Sequence, residues 1–187
     1  MLKKLTTISV ALAALMTGGQ TMAETYVGGN ILATKIKEDD LGSFKFASFY
    51  GRLGTEFTEN FSAEIRVGTG LDNDTNSYSI DGVPVDLKVK LKHFYGAYVR
   101  GTIPVADVFY PYAVVGYTQA KLEAKASVPG TSISATDSDS GGDVSFGVGA
   151  DIRLTSEVDL NLEYMNYYDK HDITLDGFAV GVTYRFY

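Results

Sequence analysis

The sequence predicts an all-β protein, an eight-stranded antiparallel up-and-down transmembrane β-barrel. Three observations point there: long runs with strict period-two alternation, tight turns that alternate with longer polar connections, and Gly and aromatic residues in place of long helix-forming stretches. Among 187 residues there are 20 Gly, 13 Tyr and 10 Phe, with only 4 Pro and no Cys. The absence of Cys excludes a disulfide framework, a thiol nucleophile, a thiolate metal site and a lipidated N-terminal cysteine.

The N-terminus reads as a signal peptide over residues 1–23. Lys3 and Lys4 form a positive region, Leu5 to Met16 an apolar stretch, and Thr21-Met22-Ala23 a small-residue cleavage site. The apolar stretch is shorter than the ~20 residues that a membrane-spanning helix needs. Cleavage between Ala23 and Glu24 leaves a barrel domain over 24–187, and losing two lysines takes the formal charge from −7 to −9. So acidic a chain is not expected to bind nucleic acid.

The strands follow from parity. Thr25 to about Ile36 is the first and least regular. Phe49, Leu53 and Phe57 oppose Tyr50, Arg52, Gly54 and Glu56. After Thr58-Glu59-Asn60, Ala63, Ile65, Val67, Thr69 and Leu71 oppose Glu64, Arg66, Gly68 and Gly70. Leu87, Val89, Leu91, His93, Tyr95, Ala97 and Val99 oppose Lys88, Lys90, Lys92, Phe94, Gly96, Tyr98 and Arg100. In the sixth run the even residues from Tyr112 to Leu122 read as the apolar, outward set, and Tyr117 falls on the inner side. Val144 to Leu154 alternates without exception, and Val158 to Tyr164 follows after Thr155-Ser156-Glu157. The last strand sets Phe178, Val180, Val182, Tyr184 and Phe186 against Ala179, Gly181, Thr183 and Arg185.

A soluble β-sandwich also alternates. These runs, however, are about 10 to 15 residues long, where soluble strands average 5 or 6 and tilted membrane strands need 9 to 11. Longer polar loops are expected at 37–43, 72–86 and 127–142, with a shorter one near Lys170-His171-Asp172. The connection near 103–108 exceeds a tight turn. Aromatics near strand ends, such as Tyr26, Phe57, Tyr110 and Tyr168, suit interfacial girdles.

The closing stretch Gly181-Val182-Thr183-Tyr184-Arg185-Phe186, with Phe49-Tyr50-Gly51-Arg52-Leu53-Gly54 and the strand count, resembles the small outer-membrane barrels of Gram-negative bacteria, the OmpX-like and OmpA-transmembrane-domain-like proteins. The resemblance implies residence in the outer membrane, extracellular loops and periplasmic termini. It also implies that the barrel-assembly machinery reads Phe178, Val180, Val182, Tyr184 and Phe186. Tyr187 departs from that pattern by following the final outward aromatic on the opposite parity.

Charges are sorted along the strands. Arg52, Arg66, Arg100, Arg153 and Arg185 all fall on polar parity in the half nearer the termini, with Glu56, Glu64, Asp151 and Glu163. Arginine facing lipid costs about 2–4 kcal/mol near the midplane, so an interior salt-bridge network is expected. Eight strands leave room for little besides side chains, which favours a plug over a charged pore constriction. A narrow channel for solutes or ions stays the alternative.

The nine lysines after residue 23 lie in the other half; Lys88, Lys90, Lys92, Lys121 and Lys125 are candidates for contact with lipopolysaccharide phosphates or for a solvated rim. An enzyme is not expected. His93 and His171 are the only histidines, and the residues two beyond them, Tyr95 and Ile173, leave no His-x-Ser motif. The stretch from Asp137 to Asp143 opens like a calcium loop, but Val148 stands where the bidentate Glu belongs. No metal or cofactor is expected. The reading is a structural or surface-interaction barrel (membrane integrity, adhesion or host-factor binding through its loops), with a lipid-modifying enzyme the remotest alternative.

Overall fold

The computed structural model describes residues 24–38, 42–72, 74–80, 83–129, 131, 134–170 and 173–186. The segment read as a signal peptide, His171 and Tyr187 lie outside the described residues. The strands are β1 (Thr25–Glu38), β2 (Gly42–Thr58), β3 (Phe61–Gly70), β4 (Asp74–Ile80), β5 (Val83–Thr102), β6 (Phe109–Ser127), β7 (Ser134–Arg153), β8 (Val158–Lys170) and β9 (Ile173–Phe186). Consecutive strands pair antiparallel except β3 with β4, β1 pairs β9, and β3 and β4 both pair β5. β3 and β4 thus share one position in the wall, and the barrel is eight-stranded and closed. At the break between them, Leu71 N donates to Ala47 O (2.8 Å) and Ala47 N donates to Asp72 Oδ1 (2.6 Å).

The tight turns at the end nearer the termini have a common device. Thr58 Oγ1 accepts from Asn60 N and Phe61 N, at 3.3 and 3.0 Å. Thr155 Oγ1 accepts from Glu157 N and Val158 N, at 3.3 and 3.1 Å. A hydroxyl that binds the backbone two or three residues on helps to close the turn. At the opposite end the expected loops are mostly ladder. Residues 72–86 contain β4 and the start of β5. Within 127–142, β7 already runs from Ser134, in register with Ser127. Two antiparallel strands satisfy each other's backbone groups even where no core covers them, so polar composition alone mistook exposed strands for loops.

Two assignments of sidedness are corrected. In β6 the inner residues are Tyr112, Val114 and Thr118, all buried, while Val115 and Tyr117 are exposed; the parity is the reverse of that expected. In β5 the register shifts between Leu91 and His93, so inward residues change from odd to even along the strand. Leu91 is buried with Phe94 and Tyr98, and Leu87 and Val89 pack against the same cluster. Lys88, Lys90 and Lys92 therefore do not share the inner face with Phe94 and Tyr98. A β-bulge inserts one residue and inverts every side chain beyond it.

The interior has two storeys. Nearer the termini it is ionic, with Arg52, Arg66, Glu64 and Glu163 almost wholly buried. Nearer the long hairpins it is apolar, lined by Leu32, Phe46, Leu91, Phe94 and Met165. Outside, residues such as Val67, Val148, Val180 and Phe178 are exposed and make the apolar belt.

Candidate functional site

The lumen is filled by five arginines and their acceptors. From β3, Arg66 reaches across to β8, where Nη1 and Nη2 meet the two carboxylate oxygens of Glu163 at 2.6 and 2.8 Å. The same guanidinium donates through Nε to Glu64 Oε2 at 2.8 Å. Glu163 also accepts from Tyr50 Oη (3.1 Å) and Tyr112 Oη (3.0 Å), and Glu64 accepts from Tyr26 Oη (2.7 Å). Each carboxylate thus has several donors, the condition under which buried charge is tolerated.

Arg100 donates to Asp151, and its guanidinium carbon stands 3.7 Å from the Tyr112 ring centroid. Arg66 lies over Tyr98 at 4.5 Å. Arg52 donates to Thr183 and approaches Asp151 at 3.6 Å and Glu64 at 3.9 Å. Asn161 Nδ2 donates to Asp151 Oδ1, and Asn161 Oδ1 accepts from Asn30 Nδ2, both at 2.7 Å. At the terminal end Arg185 donates to Asp159 and Glu56, both at 2.6 Å, and Arg153 donates to Asp159 at 3.3 Å.

All nine charged residues placed in the lumen by sequence therefore lie in this interior or at its rim. Asp159, Asn161, Asn30 and Tyr112 were missed, and Tyr26, expected in an interfacial girdle, is instead buried in the lumen, where its hydroxyl serves Glu64. Asp159 shares the parity of Glu163, which was a usable signal; Tyr112 was lost through the inverted reading of β6. Phe178, Val180, Val182, Tyr184 and Phe186 form the exposed outer row of β9.

A second cluster lies on the outer wall, past the apolar belt on the side of the long hairpins. The inward set of β5 before its bulge is Leu87, Val89 and Leu91, so Lys88 and Lys90 point outward; Lys92 is exposed at the bulge. With Tyr117 outward, Lys121, Glu123 and Lys125 share its side of β6. Cross-strand register sets Lys88 opposite Lys125, Lys90 opposite Glu123 and His93 opposite Lys121. Lys92 Nζ binds Glu123 Oε2 at 2.9 Å, and this hydrogen bond holds the Glu123 carboxyl below the usual carboxylate range. Five lysines thus share one face with two acids, Glu123 and Asp86, the latter two residues before Lys88 and opposite Ser127. His93 is exposed on the outer wall, and among the described residues no group of three His, Cys, Asp or Glu could hold a metal ion.

No curated relative matches in sequence. In the solved structures, Ail, the attachment invasion locus protein of Yersinia pestis, superposes with a TM-score of 0.63 at 16% identity, over 89% of this chain and 100% of Ail. Neisserial surface protein A superposes with 0.60 at 17%, over 87% and 97%. OprG from Pseudomonas aeruginosa gives 0.58 at 10%, over 90% and 98%. At such identities the likeness is one of fold. The family model of the outer membrane protein beta-barrel domain matches residues 5–186, nearly the whole length, and the chain accordingly belongs to that family of bacterial outer-membrane barrels.

Proposed function

We propose that this barrel is a plugged, non-enzymatic surface protein that acts through its outer wall and hairpins, with the lysine face of β5 and β6 as its contact for phosphate groups of lipopolysaccharide. The observation that carries the reading is the placement of Lys88, Lys90, Lys92, Lys121 and Lys125 on one outward face beyond the apolar belt. Lys88 directly opposite Lys125 is a like-charge pair that destabilises a ladder. An anion between them removes that repulsion, and flexible ammonium groups beside a membrane surface suit phosphate. Ail has been crystallised with the heparin analogue sucrose octasulfate; the lysine face here would suit a polyanion of that kind. On the same reading the chain is exported by a signal peptide cut between Ala23 and Glu24. Its β9 row is read by the barrel-assembly machinery, and it inserts with both termini periplasmic.

Two measurements test this. Refolded protein in planar bilayers is expected to pass no discrete current steps, because Arg66, Glu163, Arg100 and Asp151 close the lumen. Reproducible steps altered by Arg52→Gln or Glu64→Gln would instead make it a narrow channel. Binding of lipopolysaccharide to nanodisc-embedded barrel is expected to weaken when Lys88, Lys90 and Lys125 become Gln. Unchanged binding would return these lysines to the role of a solvated rim.

A further inference from the structure

We infer that the β5–β6 connection, residues 103–109, is a lipid-docking foot, which sinks Ile103 and Val105 into the leaflet on the side of the termini and completes the apolar belt there. The other two connections at that end, Thr58-Glu59-Asn60 and Thr155-Ser156-Glu157, are short and polar. This one reads Ile-Pro-Val-Ala-Asp-Val-Phe, with Asp107 its only charge. Ile103 and Val105 are 67% and 65% exposed, as open as Val67 and Val148 on the belt itself.

The connection has two faces because the ladder runs on into it. Ile103 N donates to Pro111 O at 2.9 Å and Val105 N to Phe109 O at 3.2 Å, in the register that pairs Thr102 with Tyr112. Alternation therefore carries the outward row of Tyr95, Ala97 and Val99 through Gly101 to Ile103 and Val105. The other face has its contacts already. Pro104 and Tyr110 border the mouth of the lumen, where the Arg153 guanidinium lies 4.5 Å from the Tyr110 ring centroid and Tyr110 Oη donates to Asp107 O at 3.0 Å. The outward face is the uncovered one, and it is continuous with the surface that lipid covers.

Height supplies the need for it. Toward the long hairpins the outward residues of β5 become polar at His93 and the lysine face. From Tyr95 to Gly101 the strand covers only about 15 Å of the membrane normal, at ~3.3 Å per residue and a tilt of about 40°. An outer-membrane barrel carries an apolar band of about 25 Å. Continuing the row to Val105 supplies the difference, and gives β5 the same reach that β7 has between the exposed Val144 and Leu154.

Backbone groups in lipid must all be satisfied. The last bond to β3 is Thr102 N to Asn60 O at 2.7 Å, so the next amide on that side would fall at residue 104, past the end of β3. Residue 104 is proline, which has no N–H to leave stranded. The amides of Ile103, Val105, Ala106 and Phe109 all donate to carbonyls of the same hairpin. Asp107, at the tip, stays at the level of the headgroups. The foot lies at the opposite end of β5 and β6 from the lysine face and does not depend on its role.

The sequence contains no Trp, so a single introduced indole reports alone. The test uses full-length barrel refolded into phosphatidylcholine vesicles, with Val105→Trp as reporter and Glu59→Trp, in a polar turn at the same end, as reference. The Val105→Trp protein is expected to emit at shorter wavelength than the reference and to resist iodide. Lipids brominated near the glycerol end of their chains are expected to quench it several-fold more strongly than they quench the reference. If Val105→Trp does not give the heat-modifiable gel shift of a folded barrel, Ile103→Trp on the same row takes its place. Ile103→Asn with Val105→Asn is expected to fold like wild type into short-chain lipid and to lose yield several-fold in lipid with a hydrocarbon core of about 30 Å. Iodide quenching equal to that of the reference, or no quenching by brominated lipid, would assign the turn to water or to a protein partner and overturn the inference. Equal yields of the double variant in thin and thick bilayers would overturn it as well.

Discussion

Arg66 and Glu163, on opposite walls of the barrel, grip each other through two parallel hydrogen bonds, so that β3 and β8 are tied across the lumen as well as around it. Glu163→Ala leaves two tyrosine hydroxyls without their acceptor and the buried Arg66 guanidinium with Glu64 alone. Removing one partner of a buried pair costs about 3–5 kcal/mol. The urea midpoint of refolding, followed by gel mobility, is expected to fall accordingly. The double change Arg66→Met, Glu163→Leu is expected to recover only part of the loss, because Tyr50 and Tyr112 stay without their acceptor and Glu64 loses its nearest guanidinium.

Tyr112 and Tyr117 test the corrected sidedness of β6. Tyr112→Phe removes a hydroxyl that lies between Glu163 and Asn161 and is expected to cost about 1–2 kcal/mol. Tyr117→Phe alters an exposed ring on the outer wall and is expected to stay within about 0.5 kcal/mol of wild type. The reverse order in equilibrium unfolding would restore the parity read from sequence.

Along β7, Val148→Arg is expected to impair assembly by about 2–4 kcal/mol, since Val148 is 61% exposed on the apolar belt. Thr136→Arg, at an exposed position on the same strand beyond that belt, is expected to fold with wild-type yield. Folding yields into lipid vesicles distinguish the two.

Gly54 is a close-approach position. A Cβ there would overlap the ring of Tyr26, whose hydroxyl serves Glu64. Gly54→Ala is expected to destabilise the barrel by about 1–3 kcal/mol through that overlap. Gly54→Ala in a Tyr26→Phe background is expected to lose less than the sum of the two changes, because they share one contact.

The depressed Glu123 carboxyl sets a pH dependence. A group whose folded value lies below its unfolded one adds stability above the unfolded value and loses it as pH falls through the folded one. Lys92→Gln is expected to raise the Glu123 titration midpoint, read by carboxyl carbon NMR, toward the ordinary carboxylate range. An unmoved midpoint would mean that Lys92 is not the cause.

Reading the sequence worked where one rule applied along a whole strand. From Val144 to Leu154 and from Phe178 to Phe186 the outward row is apolar and the inward row small or polar, because lipid lies on one side and the ionic storey on the other. The arginines were legible for the same reason, having nowhere else to go. The rule fails beyond the belt, where Leu87, Val89 and Leu122 turn inward and Lys88, Lys90 and Lys121 turn outward into water. Polarity changes sides there, and the sequence contains no mark of the height at which it does. The Leu91/His93 bulge was equally hidden, since one inserted residue has no signature of its own. Neutral partners such as Asn30, Asn161 and Tyr112 went unnoticed because only charge made a lumen position conspicuous.

Every ladder but one joins strands that follow each other closely along the chain; the exception pairs Thr25 with Phe186. Up to that last zipper the wall is a curved ribbon that can lengthen hairpin by hairpin, each addition closing only a short loop. The final seam joins ends separated by about 160 residues, and its entropic toll grows only with the logarithm of that length. Until it shuts, two raw margins stay open, and both belong to strands a nascent chain presents at its extremities. The cylinder is therefore all or nothing at a single line, and the Arg185 contacts to Glu56 and Asp159 stand where a latch would sit, beside that line on the side of the termini.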